Sequence, residues 1–281
     1  MDFKFTIFTP VYNGEHFIER VFNSLKNSQY KNFEWIIIND GSTDRSHQKI
    51  SQLIAKVDWD ITYINWEKNK GKHFAWNYAA SIAKGDLWLP IDCDDAFIPE
   101  SLTFYNNTWN TYHNDETIYG IDTLCFYADS KKIIGTPYPY DGIKANFLEL
   151  KYIYNVTGEK WGCVRMNLIK KYPFPELPGH FFTGPYLWNI LGKTHKTICF
   201  NKPLRAYYVE PTSICHRKVI NIDTINMFIY YNKWLITNYG GFIWKHSKNN
   251  YLKIFRLLFS LYSKRFIMNK LHAKEIIQQH D

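Results

Sequence analysis

The chain reads as an α/β protein: a largely parallel sheet with helices on its faces, followed by a helical extension. Three observations predict this. Short apolar runs alternate with stretches of helical periodicity through residues 1–98, a polar loop follows most of the runs, and from about Asn221 the pattern turns wholly helical.

Taken in order, Phe3–Thr9 is a strand, and Phe17, Ile18, Val21, Phe22 and Leu25 give Glu15–Asn27 the spacing of one helix face. Phe33–Asn39 is a second strand whose unbroken apolar centre suits burial on both faces. Ser42–Ala55 follows as a helix with Ser42 or Thr43 as N-cap. Asp60–Asn65, Lys72–Ala83 and Asp86–Ile91 continue as strand, helix and strand, the rhythm of parallel strands joined by crossovers. Beyond Pro99 a helix near Ser101–Trp109 and a strand near Tyr119–Tyr127 lead into a loop-rich stretch, with Pro, Gly and Tyr, up to about Arg217. No linker divides this part, so residues 1–219 form one domain in two halves, 1–98 and 99–219. The extension, 220–281, holds helices at Asp223–Asn238 and Tyr251–His272, with the pair Gly240-Gly241 as the break between them.

Bulk properties narrow the class. With 281 residues and 46% hydrophobic content the chain buries a real core, which excludes a disordered protein. Most of the formal charge of +8 sits at one end, where 240–281 holds eight Lys and Arg against two acids. Such a localised basic end marks one binding surface. The five cysteines are scattered, odd in number and never closely paired, as expected of reduced, buried thiols in the cytoplasm. The N-terminal segment enters a strand directly and shows no export signal. No run reaches the roughly 18 apolar residues of a membrane span.

In an open parallel sheet, ligands bind beyond the carboxyl ends of the strands. Here those ends carry Pro10, Tyr12, Asn13 and Gly14; Asp40-Gly41-Ser42-Thr43-Asp44; and Asp92-Cys93-Asp94-Asp95. The last run carries the most weight. Three carboxylates in four residues repel one another unless a cation compensates them, and hard oxygen ligands at a strand end suit magnesium or manganese on a diphosphate. A solvated acidic turn is the plain alternative. Around Asp40, a carboxylate that accepts a base N–H and the free N–H groups of a helix start suit a nucleotide, although a simple capped turn has the same residues.

Together, Thr9-Pro10-Val11-Tyr12-Asn13, Asn39-Asp40-Gly41-Ser42-Thr43-Asp44, Asn69-Lys70-Gly71 with Ala75 and Asn77, and Asp92-Cys93-Asp94-Asp95 resemble family 2 glycosyltransferases of the GT-A fold in order and spacing. By that resemblance, residues 1–98 bind a nucleotide sugar and 99–219 the acceptor. Thr9, Pro10, Tyr12 and Asp40 would surround the base, Asn69, Gly71, Lys72 and Asn77 would follow the nucleotide and phosphates, Asp92 with Cys93 would meet the donor, and Asp94 would hold Mn or Mg. The resemblance implies an inverting hexosyl transfer from a UDP-sugar to a saccharide or lipid-linked hydroxyl in cell-surface polysaccharide or glycan synthesis. It continues more loosely through Tyr172–Glu176, Trp188-Asn189 and Phe200–Tyr208.

One departure concerns the general base. Similar enzymes place a carboxylate a few residues before the tryptophan, yet Phe182–Trp188 has no acid and the expected position falls on Gly184. Glu176 and His180 are the nearest replacements, with Glu159 further off. His216, beside Arg217, is a candidate second metal ligand, and Trp161, Phe181, Phe182, Tyr186 and Trp188 either stack on sugar or fill the core. A silent nucleotide-sugar-binding protein and a sugar nucleotidyltransferase are the competing functions. Finally, Tyr251–His272 has a basic face and an aromatic-edged apolar face, which suits either docking on the cytoplasmic surface of an anionic membrane or packing on the catalytic domain. No nucleic-acid motif accompanies the charge.

Overall fold

The computed structural model describes residues 1–176, 184–209 and 222–278. The first half follows the expected alternation: β1 (Phe5–Val11), α1 (Glu19–Asn27), β2 (Phe33–Asp40), α2 (Ser46–Ile54), β3 (Asp60–Trp66), α3 (Lys72–Ile82) and β4 (Leu87–Pro90). These strands pair in parallel in the order β3-β2-β1-β4, with Phe5 opposite Phe33 on one side and Leu87 on the other. Every residue of β2 is buried, as its apolar centre demands when helices cover both faces.

The second half is more ordered than a loop-rich reading suggests. It contains β5 (Ala96–Phe97), α4 (Ser101–Tyr112), β6 (Ile118–Tyr127), β7 (Ile143–Ala145), α5 (Phe147–Tyr152), β8 (Lys160–Arg165), α6 (Met166–Lys171), α7 (Pro185–Leu191) and β9 (Lys196–Tyr207). The sheet continues from β4 through β8, β6 and β9 to β5, and β7 also pairs with β9. Here β8 runs antiparallel to β4 and β6, so the sheet is parallel in its first half and mixed in its second. Two apolar layers flank it. One gathers Trp35, Leu89, Tyr105 and Trp161; the other gathers Phe8, Trp76, Trp88 and Leu187. Trp161 is buried, stacked on Phe97 and donating to the Pro90 carbonyl at 2.6 Å, and Trp188 packs on Tyr119 and Trp76. Both are core residues rather than sugar platforms; Phe181 and Phe182 lie outside the described residues. Cys125, Cys163 and Cys199 are buried free thiols, and burial pushes Cys125 up to about 12.

Two local expectations are corrected. Neither Ser42 nor Thr43 caps α2; the helix starts at Ser46, whose N–H and hydroxyl both donate to Asp44 Oδ1. Nor does Gly240-Gly241 end a helix. α8 runs unbroken over Ile222–His246, and α9 (Lys248–Gln278) turns back at Ser247. Gly240 instead lies on the seam between them, facing the Tyr251 ring of α9.

β8 is set close against β6 by two glycines. Gly162 faces Asp122, and a Cβ on it would run into the Ile121 carbonyl; a Cβ on Gly120 would run into that of Cys163. Because backbone cannot swing aside as a flexible side chain does, Gly162→Ala is expected to cost about 2 kcal/mol or more. A lowered urea midpoint with unchanged slope checks this, and an unchanged midpoint contradicts it.

Candidate functional site

The carboxyl ends of β1, β2, β3 and β4 open on one edge, and their loops are tied to one another before any ligand is considered. Asn13, at φ +53°, donates its N–H to Ser42 Oγ at 2.9 Å and accepts from the Thr43 N–H at 2.8 Å. The Gly14 and Glu15 N–H groups donate to Ser46 Oγ at 2.8 Å and Asp44 Oδ2 at 3.1 Å. The polar residues after β2 thus spend much of their capacity holding the turn after β1, leaving Pro10 and Tyr12 half-buried at the rim. Thr9 is fully buried, and its hydroxyl accepts from Trp35 Nε1 at 3.0 Å, so it supports the floor of the edge rather than facing a ligand.

Asp40 has a similar internal duty. Its two oxygens accept the N–H groups of Lys70 at 2.7 Å and Gly71 at 2.8 Å, which fixes the loop between β3 and α3. Only a glycine suits position 41, since φ is +68° and a Cβ would collide with the backbone of Lys68 and Asn69. Within this loop the Asn69 side-chain oxygen is buried and has no donor among the described residues. Asn77, one turn further on in α3, exchanges two hydrogen bonds with the Phe174 backbone, at 2.8 and 2.9 Å, and so fastens the segment leading to Glu176.

The aspartate loop shows an unequal distribution of charge. Asp92 pairs with Lys72 Nζ and lies 3.3 Å from Arg205 Nη2. Asp95, 1% exposed, accepts from Arg205 Nε at 2.9 Å and again from Nη2, while its other oxygen accepts the Tyr208 N–H at 3.1 Å. Arg205 arrives from β9, which pairs with β5 immediately after the loop, and is itself buried. Asp94 differs: its backbone carbonyl accepts from Arg20 Nη1 at 2.8 Å, while its carboxylate meets its own backbone N–H and has no ion-pair partner among the described residues. The titration follows this arrangement. Burial works to raise Asp92, but Lys72 and Arg205 overcome it and hold the carboxyl at about 2. Burial and the neighbouring Asp92 charge raise Asp94, and burial pushes Asp95 up to about 6 against the pull of Arg205.

The expected mutual repulsion is therefore answered at Asp92 and Asp95 by two protein cations. Lys72 is placed on Asp92, and Arg205, which sequence reasoning did not single out, clamps the loop from more than a hundred positions away. Only its place in the Arg205–Tyr208 run hinted at it. Cys93 is half-buried, packed against the Gly14 turn. Among the described residues no three His, Cys, Asp or Glu side chains form a ready cation cage. The donor set still fits a hard divalent ion in the manner of magnesium, which takes one or two carboxylates and completes its shell with phosphate oxygens and water. Asp94 is the carboxylate free for that.

On the acceptor side, Glu176 is exposed at the end of a described segment, while His180 and His216 lie outside the described residues. Glu159 is nearer the charge cluster than its sequence position suggests, 3.6 Å from Arg205 Nη1. Gly184 caps α7, and a Cβ there would meet nothing closer than Trp188 Nε1 at 3.8 Å, so sterics do not explain the absence of an acid.

Comparison with known proteins agrees with this layout. Residues 6–122, from β1 into β6 and including all the loops above, match the sequence model described as glycosyl transferase family 2. A stretch of 107 residues is 33% identical to teichoic acid poly(glycerol phosphate) polymerase of Staphylococcus epidermidis, covering 38% of this chain and 15% of that protein, so the chain spans a small part of this relative. Among solved structures, S. aureus TarS 1–349 in complex with UDP-GlcNAc superimposes with a TM-score of 0.65 at 19% identity, over 83% of this chain and 66% of that one. The mannosyltransferase PcManGT from Pyrobaculum calidifontis, in complex with GDP-Man and Mn2+, gives 0.56 at 17% identity, over 86% and 65%. The fold is GT-A, and residues 6–122 match the model of glycosyl transferase family 2.

Proposed function

We propose that this chain transfers a hexose from a UDP-sugar to a hydroxyl of a saccharide or lipid-linked acceptor, with inversion, on the cytoplasmic side of a cell that builds surface polysaccharide. The observation that carries the reading is the Asp94 carboxylate: of the loop's three acids it alone lacks a cationic partner among the described residues, at the strand edge where a diphosphate would lie. A divalent ion held there, Mn or Mg, would supply charge compensation to the diphosphate leaving group. The likeness to a structure holding UDP-GlcNAc and another holding Mn2+ supports the donor class and the ion, and the relative named as a teichoic acid polymerase supports the pathway class.

The chain's own residues have distinct parts in this scheme. Pro10 and Tyr12 border the base, the Asp40-braced loop presents Asn69 and Gly71 to the nucleotide, and the Asn69 oxygen that lacks a donor suits a ligand N–H. Lys72 and Arg205 keep Asp92 ionised and the loop fixed, so little reorganisation is needed when the donor binds. His216 remains a proposed further ligand of the ion. The acceptor proton must pass to a base, and three groups compete: Glu176, His180 and Glu159. Glu159 gains support from its place beside Arg205, and Glu176 from the Asn77 anchor that fastens its segment along α3.

A second reading, a protein that binds the nucleotide sugar without turning it over, draws on Gly184 at the position where similar enzymes carry an acid. Release of UDP from a panel of UDP-sugars, with manganese and saccharide or lipid-linked acceptors, separates the two. Turnover that EDTA abolishes and manganese restores is expected; tight UDP binding with no release from any donor would establish the silent protein. Given turnover, the base is found by single substitution. Glu159→Gln, Glu176→Gln and His180→Gln are compared, and the true base loses about 10²- to 10⁴-fold in kcat with UDP affinity kept. If all three retain full kcat, the proton leaves by another group.

A further inference from the structure

The helical hairpin carries a surface that the transfer reaction does not use. α9 packs on α8 through Tyr251, Ile254, Leu258 and Leu261, which meet Tyr239, Ile243, Ile225 and Ile229. Beside that packed face runs a second apolar stripe that α8 does not cover. Leu252, Phe255, Phe259, Tyr262 and Phe266 recur at alternating intervals of three and four residues, hence on one side of the helix, and they are between 43% and 78% exposed. Large aromatic side chains held open to water in such a row mark a surface that meets something apolar.

Charge decides what that is. On the side of α9 beyond the stripe stand Lys253, Arg256 and Lys264, all exposed, and no Asp or Glu occurs anywhere in 224–274. Where the stripe passes Tyr262, a groove of about 640 Å³ opens between α8 and α9, lined among others by Asp223, Tyr230, Lys233, Trp234 and Arg265. Its two cations outnumber its one acid and stand beside aromatic rings whose polar tips reach water, a composition that suits a lipid headgroup. A second copy of the chain fits poorly. Two stripes laid together would place Arg256 and Arg265 along both borders of the seam, where the one acid of the groove, Asp223, is outnumbered. Crossing a bilayer is also excluded for this element, since no described helix is long and apolar enough.

We propose that α9 lies on the surface of an anionic lipid bilayer, with the Phe255–Phe266 stripe among the upper acyl chains and Lys253, Arg256, Lys264 and the Lys233–Arg265 groove at the phosphates. α8 connects this surface to the acceptor half of the domain: the Tyr239 hydroxyl donates to the Asn189 carbonyl at 2.6 Å, and Asn189 Nδ2 donates to the Tyr231 hydroxyl at 3.2 Å, fixing α8 to α7. Docking would therefore hold the acceptor side at a set distance from the membrane. The surface stands whether or not the chain is an active transferase.

Flotation of the full chain with vesicles of phosphatidylcholine alone, or of phosphatidylcholine with phosphatidylglycerol, tests it. The chain should float with the anionic vesicles only, and should be released in about 1 M salt. Phe255→Ser with Phe259→Ser should abolish flotation, and Lys253→Gln with Arg256→Gln should weaken it on the order of tenfold, each with unchanged helical circular dichroism. The proposal is overturned by a wild-type chain that stays unbound, by equal binding to neutral vesicles, or by a double serine variant that floats as well as wild type. It is overturned equally by a dimer in solution that the serine variant converts to monomer, which would give the stripe to a second copy. The salt and lipid comparisons need no variant, so a variant that fails to fold leaves the test intact.

Discussion

Arg205 is the residue around which the rest of the site is arranged. It is buried on β9, it grips Asp95 with two nitrogens, it reaches Asp92, and it lies near Glu159. A buried ion pair of this kind is a weak source of stability, because removing both charges from water costs about as much as their attraction returns, whereas removing one partner typically costs about 3–5 kcal/mol. Its value here is positional. The guanidinium fixes which way the loop's carboxylates point, and with Lys72 it leaves Asp94 as the loop acid without a contact ion pair among the described residues.

That arrangement also ties the two halves of the sheet to each other. The loop grows from β4, in the parallel half, while its cation comes from β9, in the mixed half, and the short antiparallel pairing of β5 with β9 brings the two together. Gly120 and Gly162 serve the same end by letting β8 close on β6, which carries the start of β8, next to Glu159, to the edge of the charge cluster. Beyond the sheet, α8 is bonded to α7 through Asn189, so the C-terminal hairpin is fixed to residues 99–219 rather than appended at a distance.

Much of the first half was legible in the sequence because its signals are local. The period of two or an unbroken apolar run marks β1 to β4, the helical period marks α1 to α3, and the polar loops fall where a parallel sheet puts its ligands. Asp94 was legible as a metal ligand candidate for the same reason, as one of three acids in a row. What could not be read was the division of labour among neighbours. Asp40 and Thr9 look like ligand groups in sequence, yet in the fold their polar atoms hold the β3–α3 loop and Trp35. Arg205 carries little local signal beyond its place in the Phe200–Tyr208 run, since its meaning depends on partners 110 and 113 positions away. Gly240-Gly241 misled for the opposite reason: glycine reads as a helix breaker, yet the pair lies inside the unbroken α8.

The account turns on the claim that Asp94 and Asp95, adjacent and chemically identical, do different work. The most direct measurement is the binding of Mn2+ in the presence of UDP, read from the loss of the free-ion paramagnetic resonance signal, together with the thermal midpoint, for the wild type, Asp94→Asn and Asp95→Asn. Asp94→Asn should keep the wild-type midpoint and lose on the order of tenfold or more in Mn2+ affinity, whereas Asp95→Asn should lower the midpoint first, by leaving Arg205 buried with one partner fewer. Wild-type Mn2+ affinity in Asp94→Asn, at an unchanged midpoint, would contradict the account.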